Sequence, residues 1–116
     1  MPTIENPPPA PAERMSIPDL LQAALGAVRD RPDDALRARI DLELRVEVRR
    51  LLPLVQAQMD ATTPRTRAWH ARDKAIDTAR QELARPIGPS PLAAGIALAD
   101  LGRSMRTLDE FAGGES

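Results

Sequence analysis

Residues 34–61, DALRARIDLELRVEVRRLLPLVQAQMDA, constrain the fold more than any other part of the chain, because no other run keeps an apolar pattern over such a length. Leu36, Ile40, Leu44, Val48, Leu51, Leu52, Val55 and Met59 recur mostly at steps of three and four, the stripe that an α-helix lays along one face. Ile40, Leu42, Leu44, Val46 and Val48 also alternate with Asp41, Glu43, Arg45 and Glu47, as a half-buried strand would. The surroundings decide for the helix. The stripe continues on both sides of the alternating part, no turn pair returns a hairpin, and a lone strand leaves its backbone unpaired. A helix here sets Arg37/Asp41, Asp41/Arg45 and Arg39/Glu43 at the four-residue spacing at which opposite charges help. It also puts Leu42 and Val46 nearly opposite the core stripe, where they meet either another helix of the chain or a partner. Pro53 removes one backbone hydrogen bond inside this run, which predicts a kink near Val48 to Arg50 or two helices meeting at Leu52-Pro53.

At 116 residues the chain makes one small domain with a modest core. Trp69 and Phe111 are its only aromatic residues, so the core must come from Leu, Ile, Val, Ala and Met, a set that suits helices better than sheets. Fifteen of the sixteen basic residues are Arg, a bias that reads as a GC-rich bacterial genome. The absence of cysteine excludes disulfides, thiolate catalysis and cysteine metal sites. No run approaches a membrane span and the N-terminus lacks the basic-then-apolar order of a secretion signal, so a soluble cytoplasmic protein is expected. The net charge of −1 hides an uneven layout: residues 1–36 carry three basic and six acidic groups, and residues 65–85 carry six basic and three acidic. Such a basic span with interspersed acids reads as a solvated helix face.

In chain order, residues 1–15 hold five prolines in their first eleven positions and read as a disordered tail with polyproline II bias, a spacer rather than a recognition ligand. Ser16 caps a first helix that has Pro18 and Asp19 in its first turn and is expected to reach about Arg29, with Leu20, Leu21, Ala24, Leu25 and Val28 as its apolar stripe. Asp30-Arg31-Pro32-Asp33 forms a turn, and Asp33 or Asp34 caps the long helix. Thr63 with Pro64 behind it opens a third helix running to Ala84 or Arg85, whose seam is Trp69, Arg72, Ile76, Ala79 and Leu83. After the rigid PIGPSP loop, Ser90 and Pro91 start a fourth, lined by Ala94, Leu98, Leu101, Met105, Leu108 and Ala112 and stopped by Gly113-Gly114. The expectation is an all-α, four-helix up-down bundle over residues 16–112, with residues 113–116 as a short tail.

Reaction chemistry has little to stand on. His70, the single histidine, lies three residues before Asp73, too few ligands for zinc or a di-metal site. Glu43 and Glu47 share a helix face, with Glu47 at the edge of the core, but the arginines around it favour an ion pair over a general acid. No glycine-rich phosphate loop and no nucleophile elbow is present. No catalytic residue, metal or cofactor is expected.

The segments ALRARIDLELRVEVRRLLPLVQAQM, TPRTRAWHARDKAIDTARQELARP and ALADLGRSMRTLDEFAG together resemble a small DUF6415-like domain family of GC-rich filamentous bacteria. Members of that family often carry the label natural product biosynthesis protein. In the last segment an acidic and an aromatic residue, Glu110 and Phe111, follow the leucine pattern as the family's closing helix has them. The chain departs from the family at Thr62-Thr63 and in its proline-rich start. The resemblance implies an all-helical fold and carries over no catalytic residue.

The expected function is a non-enzymatic helical module that binds a protein partner or a second copy of itself, as a homodimer, through Leu42 and Val46 with Arg45 and Arg49 beside them. The alternative is a regulatory nucleic-acid-binding protein using Arg65, Arg67, Arg72 and Lys74 of the third helix, although Asp73, Asp77 and Glu82 interrupt that charge. A third reading is a small-ligand pocket walled by Trp69, Met59 and Met105.

Overall fold

Two interruptions organise the helices. Gly26 ends the first amphipathic run early, and the left-handed backbone of Arg31 (φ 47°) turns the chain before the long one begins. In the computed structural model, which describes residues 14–113, the chain forms α1 (Ile17–Leu25), α2 (Ala27–Asp30), α3 (Asp34–Asp60), α4 (Arg67–Ala84) and α5 (Pro91–Gly113), with no strand among the described residues. The described residues are all-helical with five segments, where the sequence pattern predicts four, because the turn of helix expected to continue to Arg29 breaks at Gly26.

Most helix starts fall where the capping residues put them. The Ser16 hydroxyl accepts from the Asp19 N–H, the Asp33 carboxylate from the Leu36 N–H and the Ser90 hydroxyl from the Ala93 N–H, each satisfying a donor that the first turn leaves orphaned. The exception is α4. Its cap is Thr66, whose hydroxyl accepts from the Trp69 N–H, instead of Thr63. Arg65 sits at φ 68°, and this left-handed residue directs residues 63–66 into a turn that delays the helix by one cap.

α3 continues unbroken through Pro53. Ile40, Leu44, Val48, Leu51 and Val55 of the expected stripe are fully buried, Leu52 and Met59 are half-buried, and Leu36 is exposed. Each fully buried leucine or valine contributes about 1.5–3 kcal/mol of transfer free energy. α4 runs antiparallel to α3: Arg45 of α3 reaches the C-terminal end of α4 at Leu83 and Arg85, and Gln58 near the C-terminus of α3 bonds Arg72 near the N-terminus of α4. α5 runs parallel to α3, since Gln58 also donates to the Phe111 carbonyl at the far end of α5. The ladder α3–α4–α5 therefore alternates in direction.

α1 and α2 pack on α5 and, for α1, on α3 as well. Two glycines one heptad apart, Gly95 and Gly102, allow this. A Cβ on Gly95 would lie 2.9 Å from Val28 Cγ2 and 3.1 Å from the Val28 backbone nitrogen, and one on Gly102 would lie 2.8 Å from the Ala24 Cβ. With Ala94, Ala97 and Ala99 also buried, α5 serves as the hub that touches every other helix of the described residues. Residues 1–13 of the expected tail lie outside the described residues. Met15, assigned to that tail, instead packs against the core and donates its N–H to Glu43 Oε1 at 2.8 Å.

Candidate protein-interaction surface

The helical periodicity that buries Ile40 and Leu44 turns the residues about half a turn away outward. Leu42 is 62 % exposed and Val46 39 %, so α3 presents a second apolar pair on its outer side, Leu42 open and Val46 partly covered. Arg49 is exposed on the same side, one turn beyond Val46.

Arg45, expected to join this patch, points elsewhere. Its Nη1 donates to the Leu83 carbonyl (2.7 Å), its Nη2 to the Arg85 carbonyl (2.9 Å), and its Nε to Asp41 (2.9 Å). The last carbonyls of α4 have no intrahelical donors, and the guanidinium fork supplies them. Arg45 is a clamp inside the fold, not a partner contact.

Carboxylates beside the patch are turned inward. Glu43 is buried and accepts from Arg39 Nε (2.8 Å) and the Met15 N–H, while Glu47 accepts from Arg50 Nε (2.9 Å) and Arg14 (3.4 Å). Glu47 is expected at the edge of the core, but Glu43 is the more buried, because Met15, just before α1, lies over it. Burial pushes the Glu43 carboxyl up, and the Arg39 and Met15 hydrogen bonds, with the charges of Arg39 and Arg14, outweigh it and hold the group below its ordinary range. A carboxyl lowered in the folded state binds fewer protons than in the unfolded chain, so its contribution is full above the ordinary carboxylate range and fades as pH falls through the folded value. Urea unfolding at a series of pH values is expected to show a shallower acid loss of stability for Glu43→Gln than for the parent chain. Equal slopes would contradict the assignment.

Four more large apolar side chains are exposed on other helices: Leu25 and Val28 at the α1–α2 break, and Leu92 and Ile96 one turn apart on α5. Leu25 and Val28, expected in the apolar stripe of the first helix, are only partly covered: the break at Gly26 leaves Leu25 to solvent, while Val28 keeps one side against Gly95 of α5.

The arginines assigned to nucleic acid do not form one set. Arg72 lies over the Phe111 ring at 4.7 Å and bonds Gln58 and the Ala68 carbonyl, so it belongs to the α3–α4–α5 packing. Lys74 lines a different feature, an open groove of about 430 Å³ between α4 and α5 floored by Ala71, Ala75, Thr78 and Ser104. Arg65 is in the turn before α4 and Arg67 opens that helix. Of the expected small-ligand walls, Met105 is fully buried in the core, Met59 is half-buried against that same core, and Trp69 is half-buried. His70 packs edge-on against the Trp69 ring at 5.1 Å. Among the described residues no group of His, Cys, Asp and Glu is placed to hold a metal, and no helix is long and apolar enough to cross a membrane.

The model of a family of unknown function (DUF6415) matches residues 15–112 of the chain. No curated protein and no solved structure matches the chain.

Proposed function

Since the chain belongs to the family of unknown function DUF6415, we propose, from the character of its surface, that it is a non-enzymatic helical interaction module whose principal contact surface is the outer face of α3. The observation that carries this reading is Leu42, the most exposed large apolar side chain among the described residues, standing one turn from Val46 on a helix whose opposite face is fully buried. A long helix held rigidly along its core side and apolar on its outer side is the arrangement by which helical proteins present anchors to a groove or to another helix. Val28 and Leu92, which line one surface depression, offer a second apolar contact area.

Affinity capture from an extract of the native host, run side by side with the parent chain and a Leu42→Glu/Val46→Glu variant, tests the reading. A partner retained by the parent and lost by the variant is the expected result. A partner retained equally by both moves the contact surface off α3, and capture of none by either removes the basis for an interaction role.

A further inference from the structure

We propose that the groove between α4 and α5 binds a small organic acid, a molecule with an apolar body and one carboxylate, at a site separate from the outer face of α3. The assignment goes beyond the interaction reading and does not depend on it.

The ends of the groove are fixed by contacts between the two helices. Arg85, at the C-terminal end of α4, donates to Asp100 (2.8 Å) at one end, and Arg72 lies over the Phe111 ring at the other. The helical rise of 1.5 Å per residue makes it about 16 Å long from Ala71 to Glu82. Its volume of about 430 Å³ lies in the range of sites that take a small ligand. Ala71 and Ala75 on one side and Phe111 on the other make the Phe111 half apolar.

Ser104 is the residue that points to a ligand. It is only 7 % exposed, and its hydroxyl makes no hydrogen bond among the described residues. It is not sealed in, because no fully enclosed side-chain oxygen or nitrogen among those residues lacks a partner. The hydroxyl therefore opens on the groove that Ser104 lines. Folding has already taken most of this side chain out of water, so an acceptor seated in the groove gains a hydrogen bond with little further loss of hydration. Thr78 and Thr107 line the same stretch with hydroxyls that the fold also leaves uncommitted.

Charge selects an acid. Both carboxylates of the groove are committed, Asp100 to Arg85 and to Arg103 (3.0 Å) and Glu82 to Arg85, so two guanidinium groups balance them. Lys74 is left over. It is exposed and forms no ion pair among the described residues, and Asp77, one turn along α4, accepts from Gln81 (3.0 Å) instead. Asp73, its neighbour in sequence, is turned about 100° away around the helix. The groove thus offers one uncompensated positive charge beside three hydroxyl donors. An amine meets no free carboxylate here, and a nucleic acid meets one cation where it needs a row of them. A carboxylate satisfies Lys74 and the hydroxyls, while a ring or short alkyl chain covers Phe111, Ala71 and Ala75.

The test titrates the isotope-labelled full-length protein with benzoate, phenylacetate, phenylpropionate and octanoate, each beside its primary amide, and follows backbone amide shifts by NMR. At least one acid is expected to move the resonances of residues 71–82 and 100–111 saturably, and its amide to bind about tenfold more weakly. Lys74→Gln is expected to bring that acid down to the level of its amide, again about tenfold, and Ser104→Ala to weaken acid and amide alike by about threefold. Lys74 is exposed and Ser104→Ala deletes a single oxygen, so both variants keep the fold, which circular dichroism checks. Amides that bind as tightly as their acids, shifts that map outside the groove, or binding that neither variant alters overturn the proposal. So does a panel in which no acid binds, or a concentration-dependent dimer whose shifts fall on the same residues, which makes the groove a contact between copies. None of these outcomes bears on α3, whose capture experiment turns on Leu42 and Val46.

Discussion

Replacing Gly95 with Val is expected to cost about 3 kcal/mol, the upper end of what overpacking costs. The reason is the closeness of α2 to α5. A Cβ at this position would stand 3.1 Å from the Val28 Cα and nitrogen, and backbone atoms cannot rotate aside as the end of a flexible side chain can. α2 would have to lift from α5, and with it the turn that leads into α3. Monitored by circular dichroism, a loss of this size lowers Tm on the order of 15 °C for a domain of this length. Two substitutions serve as comparisons. Gly95→Ala keeps the first clash but recovers up to about 1 kcal/mol of helix propensity, so its loss is smaller. Gly113→Ala has nothing within 4 Å of the new Cβ and is expected to be neutral or slightly stabilising. A Gly95→Val protein as stable as the parent would show that α2 is not seated on α5.

The second large effect is expected at Arg45. Replacing it with Ala removes the donors of the Leu83 and Arg85 carbonyls and the partner of Asp41. Hydrogen bonds to a charged group contribute about 1.5–3 kcal/mol, so a net loss of about 2 kcal/mol in urea unfolding is expected after water reaches part of the vacated site. Lysine is not expected to rescue it, because a single ammonium cannot span both carbonyls as the planar fork does. Arg49→Ala, four residues along on the outer face, is expected to stay within about 0.5 kcal/mol of the parent. Should Arg45→Ala behave like Arg49→Ala, the clamp has no energetic weight.

These two residues also mark what the sequence makes legible. Caps that act on the next turn are local, and Ser16, Asp33 and Ser90 are readable because nothing distant competes with them. The apolar stripe of α3 and the seam of α4 follow from periodicity alone. Thr66 was hidden by Thr63-Pro64, an equally good start signal that the left-handed Arg65 overrules. Gly95 and Gly102 read as interruptions of a helix until their partners are known, and only their seven-residue spacing hints that they share a face. Arg45 is not legible from local pattern. Helical spacing puts it next to the outer patch, and nothing local tells whether a long side chain on that boundary reaches solvent or the end of another helix 38 residues away. The same limit hid the burial of Glu43, which depends on where the chain before α1 lies.

Leu42, with Val46 partly beside it, is apolar surface that the chain itself leaves open. Equilibrium urea unfolding of the Leu42→Glu/Val46→Glu protein against the parent measures this without any partner. If the face is open, the two proteins share a midpoint and slope to within about 0.5 kcal/mol, as exposed substitutions do. If the variant loses several kcal/mol, the charges have been forced into a buried site, the patch belongs to the protein's own core, and the interaction surface proposed for α3 does not exist.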